Sequence, residues 1–347
     1  MRKYLSIIAA ALVIASCGGN QHKADDPLAD SGRTQRTENL LSNLKHLGDS
    51  AVYLFGHQDD TLYGIGWSFE SIDSTASQQH SDIKSICNDY PALTGFDITG
   101  IEKGNRQTAS GISLDRIRQE VVNAYNDNGI VTLSLTLSSD KGVEPLADFL
   151  NSLETPYGVR VPVLLRLRGK QSKALWQSLA EGLEDNDVTN ALLVYAPAVD
   201  SLTTEAKYME QYPGDDIIDI MGLSLYCKAP EGDTIQVDRY ASLLDRQLTM
   251  LSSLGKQHGK PIAVAETGYN GIKTDNWWTH TLATTLDKHP ISYVLLWHNA
   301  SPESYYVPYP GHMSTSDFVR FYNLPATLFR HDINGPYINK DNKNGDQ

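Results

Sequence analysis

The sequence is poor in basic residues. Its 347 residues include 29 Lys and Arg against 42 Asp and Glu, so the formal net charge is −13 at pH 7. An acidic surface repels the phosphate backbone of nucleic acids, whereas a neutral polymer such as a polysaccharide does not feel this charge. The composition therefore argues against a nucleic-acid partner.

Long apolar runs are also missing, except at the amino terminus. The first 17 residues, MRKYLSIIAAALVIASC, carry two early basic residues and then an apolar stretch too short to span a bilayer, which is typical of a signal peptide. Residues 14–17, Ile-Ala-Ser-Cys, resemble a bacterial lipobox, which implies that Cys17 is freed by cleavage and lipidated. We therefore expect residues 1–16 to be removed and the protein to be anchored in the outer membrane, facing the periplasm or the cell surface.

The mature chain reads as one domain behind a tether. Residues 17–36 are polar, rich in Gly and Asp and without an apolar period, which predicts a flexible tether. Residues 37–340 contain no low-complexity segment and no second linker, so we expect one large domain, and a monomer.

Cysteine is scarce, with three in the whole chain. Besides Cys17 there are only Cys87 and Cys227. These two could form a disulfide in an oxidising compartment or remain as buried free thiols, and the sequence leaves both alternatives open.

Eight short apolar runs alternate with helical periods. They span residues 52–57, 92–98, 130–137, 162–168, 191–197, 220–226, 262–266 and 293–299. Near-continuous apolar strands indicate burial on both faces, as parallel sheets require, and helix candidates such as residues 114–126 and 237–254 lie between them. The pattern predicts an α/β fold with a single (β/α)8 (TIM) barrel, with an open doubly wound sheet as the lesser alternative.

The ends of the predicted strands carry the residues of most interest, because barrel active sites lie at the carboxyl ends of the strands. Glu266 ends the seventh run, Tyr226 the sixth, and Trp297, His298 and Asn299 follow the eighth. Position alone leaves two interpretations of Glu266 open. It is either a catalytic carboxylate or a structural one that pairs with a basic neighbour or caps a helix.

Several segments resemble glycoside hydrolase family 26, the family of β-mannanases and related β-glucanases. The resemblance runs along most of the chain, and its most specific parts are GKPIAVAETGYNG (259–271) and WHNASPESYYVPYPGH (297–312). Further matching segments are 54–67, 89–102, 128–134 and 314–329.

The resemblance implies a retaining (β/α)8 glycosidase with two carboxylates. One is the acid/base at the end of strand four, and the other is the nucleophile at the end of strand seven. Retention requires the two carboxyl groups to lie roughly 5.5 Å apart. Glu266 matches the nucleophile.

The acid/base does not match. Family members read approximately Arg-Pro-Phe-His-Glu after strand four, and this chain reads Arg-Leu-Arg-Gly-Lys, residues 166–170. Gly169 thus falls at the histidine and Lys170 at the acid/base glutamate. An ammonium with an ordinary pKa near 10 cannot serve as a carboxylate base. A lysine beside Glu266 would instead hold that carboxylate ionised.

Other departures cluster at the same barrel mouth. Leu135 and Thr136 follow strand three where the family tends to have Trp-His, and Ser224 and Leu225 precede Tyr226 where acidic residues are usual. His298 replaces an arginine in the family's Trp-Arg-Asn-Ala. The losses fall on sugar-contacting positions, which indicates a changed or abandoned subsite.

Three other carboxylates lie in loops on the correct face of the barrel. They are Asp140, Glu231 and Glu303, and each is either a relocated acid or, more commonly, a solvated loop charge. Glu181 lies too far into the following helix. A substrate with a strongly activated leaving group does not need this acid.

Aromatic rings stack on the apolar faces of pyranose rings in carbohydrate sites. Trp297 and Tyr226 are the principal candidates for substrate binding, together with His298. Loop aromatics that either extend the cleft or pack within their loops are Trp67, Tyr305, Tyr306 and Tyr309. We expect Trp277 and Trp278 to pack against the barrel.

No cofactor or metal is predicted. The His57–Asp60 segment lacks a second set of ligands at metal spacing. The Gly-rich segment 99–104 lacks a P-loop or dinucleotide pattern, and no nucleophile elbow is present.

Two functions therefore remain as hypotheses. The first is a glycosidase of the endo-1,4-β-mannosidase type that acts on β-mannan or a related β-linked polysaccharide, with Glu266 as nucleophile and an unidentified acid/base. The second, nearly equal in weight, is a non-catalytic glycan-binding lipoprotein. A surface scaffold has little support.

Overall fold

The fold is given by a computed structural model, which describes residues 26–68, 80–137, 139, 142–169 and 171–339. The predicted signal peptide, the lipidated Cys17, Asp140 and Lys170 lie outside the described residues. Within these ranges, no helix is both apolar enough and long enough to cross a bilayer.

Eight parallel strands form a closed barrel. They are β1 (Tyr53–Gln58), β2 (Leu93–Asp97), β3 (Ile130–Leu135), β4 (Val163–Leu167), β5 (Ala191–Tyr195), β6 (Ile220–Cys227), β7 (Ile262–Tyr269) and β8 (Ile291–Leu296). Each strand pairs with its sequence neighbours, and β1 pairs with both β2 and β8, which closes the sheet. The predicted (β/α)8 barrel is confirmed, and all eight predicted runs contain the observed strands or overlap them.

Three shorter strands decorate the barrel. Tyr63–Gly64 and Trp67–Ser68 form a hairpin after β1, and Thr327–Leu328 pairs in parallel with the start of β1.

Helices connect successive strands. They are α1 (Gln35–Asp49), α2 (Asp82–Cys87), α3 (Leu114–Asn126), α4 (Val143–Asn151), α5 (Lys173–Asp185), α6 (Glu205–Met209), α7 (Thr234–His258), α8 (Thr284–Leu286) and α9 (Thr315–Tyr322). Short 3₁₀ segments span Ile101–Lys103 and Arg330–Asp332, and a π-helix spans Trp277–Ala283.

Local chemistry explains the two helices predicted in detail. The Ser113 side chain accepts a hydrogen bond from the backbone N–H of Arg116 and so caps α3, whose buried face carries Ile117 and Val121. Asp233 caps α7 in the same way, and Gly259 ends it in a left-handed conformation. These caps extend α7 several residues beyond the predicted span 237–254.

Two apolar layers hold the barrel together. Alternate strand residues fill its interior, among them Leu54, Leu164 and Leu295. The intervening residues pack outward against the helices. Trp277 and Trp278 belong to this outer layer and are fully buried, and Trp278 packs edge-on against Phe318 with 4.7 Å between ring centroids.

The amino-terminal segment contacts the barrel before the predicted domain boundary at residue 37. The Arg33 guanidinium lies 2.8 Å from Asp219, and the Thr34 N–H donates to the Thr189 carbonyl at 3.0 Å. Thr34 also caps α1, which begins at Gln35. Arg33 and Thr34 are therefore held against the barrel by these polar contacts and by the start of α1, although both precede residue 37.

Candidate functional site

A cleft of about 420 Å³ opens at the carboxyl ends of strands β4, β6, β7 and β8. Its lining comprises Arg168, Tyr226, Cys227, Lys228, Ala229, Glu266, Tyr269, Asn270, Lys273, Trp297 and Tyr306. A slightly larger cavity of about 480 Å³ lies at the opposite end of the barrel, and no aromatic, histidine or cysteine side chain lines it. We place the functional site in the cleft, because chemistry in this fold is located at the carboxyl ends of the strands.

Glu266 lies at the floor of this cleft and is 6% exposed. One carboxylate oxygen, Oε2, accepts from Nη2 of Arg166 at 2.5 Å and lies 3.3 Å from Nε of Arg168. The other, Oε1, accepts from the Tyr226 hydroxyl at 2.8 Å. Both oxygens of the predicted nucleophile are therefore held in place.

Two opposing effects set the pKa of Glu266. Burial alone would raise it, but the positive charges of Arg166 and Arg168 and the hydrogen bonds from Arg166 and Tyr226 outweigh burial. The pKa of Glu266 therefore lies below its usual value. The carboxylate is ionised at neutral pH, as a nucleophile must be.

Arg166 is an interior residue of the barrel. It lies in the middle of β4, is 2% exposed, and makes its ion pair with Glu266 out of contact with bulk water. A buried charge of this kind is tolerated only when it is paired. Sequence reasoning missed this residue as a site residue. Its position as the arginine of the family's Arg-Pro-Phe-His-Glu motif was the signal that could have found it.

Arg168 directly follows β4, at the position where the same alignment has phenylalanine. Its Nη1 donates to Oδ2 of Asp97 at 2.6 Å, and its guanidinium lies 4.2 Å from the centre of the Trp297 ring. The first contact is an ion pair and the second a cation–π contact. Arg168 thus links the ends of β2, β7 and β8, and it covers part of the ring that we predicted would stack on a sugar.

Asp97, at the end of β2, is the second carboxylate of this network. Besides Arg168, the backbone N–H of Thr99 donates to it at 2.8 Å. Each of its two carboxylate oxygens therefore already accepts a hydrogen bond. Asp97 also does not line the cleft. It is therefore a poor replacement for the missing proton donor.

Three aromatic side chains form the walls beside Glu266. Tyr226 and Tyr306 meet edge to face, with 5.8 Å between ring centroids, and Trp297 lies at the end of β8. Gly268 permits this arrangement, because a Cβ at that position would lie 2.4 Å from the Tyr306 ring. Tyr226 and Trp297 were predicted for the site, and Tyr306 was one of four loop candidates.

Other predicted residues lie elsewhere. His298 does not line the cleft, because its Nδ1 lies 2.8 Å from the Tyr63 hydroxyl and 3.0 Å from Asp59. The Trp67 indole donates to Asp82 at 2.7 Å. Tyr305 and Tyr309 both pack against His312.

The candidate replacement acids divide into two groups. Asp140, like Lys170 at the expected acid/base position, lies outside the described residues. Glu231 and Glu303 are exposed and do not belong to the cleft lining. Among the described lining residues, Glu266 is the only carboxylate.

The remaining candidates have structural partners. His57 Nδ1 lies 2.7 Å from Asp60 Oδ1, with both side chains buried. Within the described ranges, no group of three His, Cys, Asp or Glu residues is arranged to hold a metal ion. Cys87 and Cys227 are free thiols, so the alternative of a disulfide between them is not realised.

Comparison with known proteins identifies relatives of this architecture. The sequence model of glycosyl hydrolase family 26 matches residues 29–145 and 144–260. A solved GH26 β-mannanase from Bacteroides ovatus is 34% identical with a TM-score of 0.80, and the match covers 88% of this chain and 98% of that chain. The family model ends before Glu266, but the structural match covers most of both chains.

Two more distant relatives are named as mannan-degrading enzymes. An endo-β-1,4-mannanase from Cellulomonas fimi is 23% identical with a TM-score of 0.73, over 90% of this chain and 79% of that chain. This match shows a shared fold. A mannan endo-1,4-β-mannosidase from Bifidobacterium adolescentis is 22% identical over 90% of this chain. The match spans 36% of that relative's length.

Proposed function

Because the chain belongs to glycosyl hydrolase family 26, we propose that its cleft binds β-mannan or a related β-linked polysaccharide, with Glu266 in the position of the retaining nucleophile. The observation that carries this proposal is the setting of Glu266. It lies ionised at the floor of an aromatic-walled cleft, at the carboxyl end of β7. The names of the relatives from Bacteroides ovatus and Bifidobacterium adolescentis supply the substrate class.

The retaining reaction needs two functions, and the described cleft supplies one. Glu266 attacks the anomeric carbon and forms a glycosyl-enzyme ester while the glycosidic bond breaks. The leaving oxygen must then receive a proton, and a base must later activate water. Besides Glu266, the described lining residues include no carboxylate and no histidine for this. Burial raises the pKa of Tyr226, and it raises the pKa of Tyr269 to about 12.

We therefore propose a glycan-binding protein that retains a nucleophile but cleaves natural polysaccharide slowly. An activated leaving group such as dinitrophenolate departs without protonation. A sugar that carries this group therefore reacts with Glu266. The ester formed then accumulates, because no carboxylate base among the described lining residues activates water for the second step.

The test combines binding, cleavage and covalent trapping. The purified protein is run through affinity gels containing galactomannan or glucomannan, and both polymers are assayed for new reducing ends. We expect retardation without release of reducing ends at mannanase rates. With a 2,4-dinitrophenyl β-mannoside, intact-mass spectrometry is expected to show one added mannosyl unit, absent in Glu266→Gln.

Two variants identify the binding surface. Trp297→Ala removes the candidate stacking ring and is expected to weaken retention about tenfold, since one aromatic contact contributes about 1 kcal/mol or more. Tyr157→Ala, which removes an exposed tyrosine outside the cleft, is the control and should not change retention. Absence of retardation by either polymer would reject glycan binding.

A full hydrolase is the second candidate, and the intact Glu266 network favours it. Release of reducing ends that is lost in Glu266→Gln would establish it. The acid would then be sought by replacing Asp140, Glu231 and Glu303 one at a time.

For cellular location we propose a lipid-anchored protein of the outer membrane, supported by the lipobox-like segment ending at Cys17. Metabolic labelling with a fatty acid, compared with Cys17→Ala, tests this proposal.

A further inference from the structure

The cleft has a charge opposite to that of the whole molecule. The chain carries a formal net charge of −13, yet the lining contains three cations, Arg168, Lys228 and Lys273, and one carboxylate, Glu266. The hydroxyls of a neutral mannan accept hydrogen bonds from these groups, but a mannan carries no negative charge to balance them. The local excess of positive charge in the cleft lining therefore requires its own explanation.

Ion pairs with nearby carboxylates balance the positive charge of the arginines but not that of the lysines. Arg166 and Arg168 are balanced by Glu266 and Asp97, which lie at their guanidinium groups. Lys228 and Lys273 remain. Both are exposed, and neither ammonium forms an ion pair or hydrogen bond with another described residue. Two uncompensated positive charges thus border the cleft.

Arg168 also keeps donors available. Its Nε faces Glu266 and its Nη1 faces Asp97, while no described residue accepts from Nη2. The side chain is 29% exposed, and the contact with Trp297 fixes the plane of the guanidinium. A planar fork with free N–H groups is suited to an incoming carboxylate.

The acids nearest to the cleft lie on loops outside its lining. Glu231 and Asp233 lie on the loop after β6, close enough to affect the Tyr269 hydroxyl. Asp233 is engaged as the cap of α7. Glu303, on the loop after β8, accepts from the Ser301 hydroxyl at 2.8 Å. None of these three carboxylates lines the cleft.

From these observations we infer that the cleft selects a carboxylate-bearing β-linked glycan, a poly-β-1,4-hexuronate, over its neutral counterpart. The inference rests on the proposed function and narrows its substrate class. The uronate carboxylate is bound by Arg168 through Nη2, and neighbouring units along the chain are held by Lys228 and Lys273. A phenylalanine in place of Arg168 would supply no such donor.

The test compares two oligosaccharides that differ only at C6. Oligomers of β-1,4-mannuronate and β-1,4-mannose of equal length are titrated into the purified protein by calorimetry, at low and at high salt. We expect the uronate to bind about tenfold more tightly at low salt, because two or three partly exposed charge contacts are together worth about that factor. High salt should remove most of the difference, since it screens exposed charges.

Matched variants assign the preference to residues. In Lys228→Gln/Lys273→Gln the ratio of the two affinities is expected to fall toward one. Lys45→Gln/Lys256→Gln removes two lysines from the opposite end of the barrel and should leave the ratio unchanged. This pair controls for net charge.

The outcomes separate this inference from the proposed function. If mannose oligomers bind as tightly as mannuronate oligomers or more tightly, the uronate preference is wrong and the proposed function stands. A preference that survives loss of both cleft lysines, or that falls equally in the control, also overturns the assignment. If neither oligomer binds, both proposals fail.

Discussion

The ends of strands β7 and β4 face each other across the cleft and differ in how far their charged residues match the family motif. At β7, Glu266 is ionised, fixed by three side chains and open to the cleft. At β4, Arg166 lies in the strand, Arg168 directly follows it, and Lys170 stands where the family resemblance implies a glutamate. Under the proposed function, the β7 end keeps the nucleophile of a retaining site, whereas the β4 end carries positive charge where the resemblance implies the acid/base.

The difference shows how a carboxylate can be preserved for two separate reasons. A nucleophile must be ionised and positioned, and a buried Arg166 must be neutralised. Glu266 meets both requirements.

Breaking the ion pair at its β4 end has the largest expected effect. Arg166→Met leaves Glu266 buried with a weaker partner, and we expect the free energy of unfolding to fall by about 3 kcal/mol or more. Chemical denaturation measures this change. Lys288→Gln, which removes an exposed partner of Asp245, is the control, with a change of at most about 0.5 kcal/mol. A loss for Arg166→Met as small as that of the control would show that the pair does not hold the site.

Restoring the family residues after β4 should remove the difference between the two strand ends. Arg168→Phe combined with Lys170→Glu re-creates two residues of the family motif, and we expect reducing-end release from galactomannan to rise about 10²-fold, the usual scale of general acid–base catalysis. The comparison is with Arg168→Phe/Lys170→Gln, which has the same shape but no acid. Equal rates in the two variants would mean that more than the acid/base is missing.

The smallest expected effect is the pH dependence of the stabilisation that Glu266 provides. The folded-state pKa of Glu266 lies below its ordinary value of 4.5, so the unfolded chain binds the proton more readily. The stabilisation from the ionised carboxylate is therefore complete above about pH 4.5 and is lost as pH falls through the folded-state pKa. Unfolding free energies of the native chain and Glu266→Gln, measured from about pH 7 to about pH 3, should converge at the acid end. A constant difference would contradict this sign.

The sequence predicted the barrel because its signals are local and repeated. Eight β-rich runs and the periods between them specify strands and helices one by one, and closure follows from their number and order. Caps such as Ser113 and Asp233 set helix ends more finely than hydrophobic periodicity, which explains why the predicted limits of α7 were too narrow.

The cleft could be predicted only in part. Glu266, Tyr226 and Trp297 are found together, because each ends a strand of known order. Arg168 and Asp97 were missed, because their relation to Glu266 exists only when β2, β4 and β7 come together at one mouth.

The sequence by itself determined the fold, the family and the identity of a lone carboxylate at the end of β7, because strand periodicity and strand-end motifs are properties of contiguous residues. Only the tertiary structure decided that Arg166 of β4 and Arg168 just beyond it neutralise this carboxylate, and that Arg168 covers part of Trp297. It also decided that two lysines with no ion-pair partner among the described residues border the cleft. Electrostatic interactions depend on the distance between charges, and residues a hundred positions apart in the chain acquire that distance only in the closed barrel.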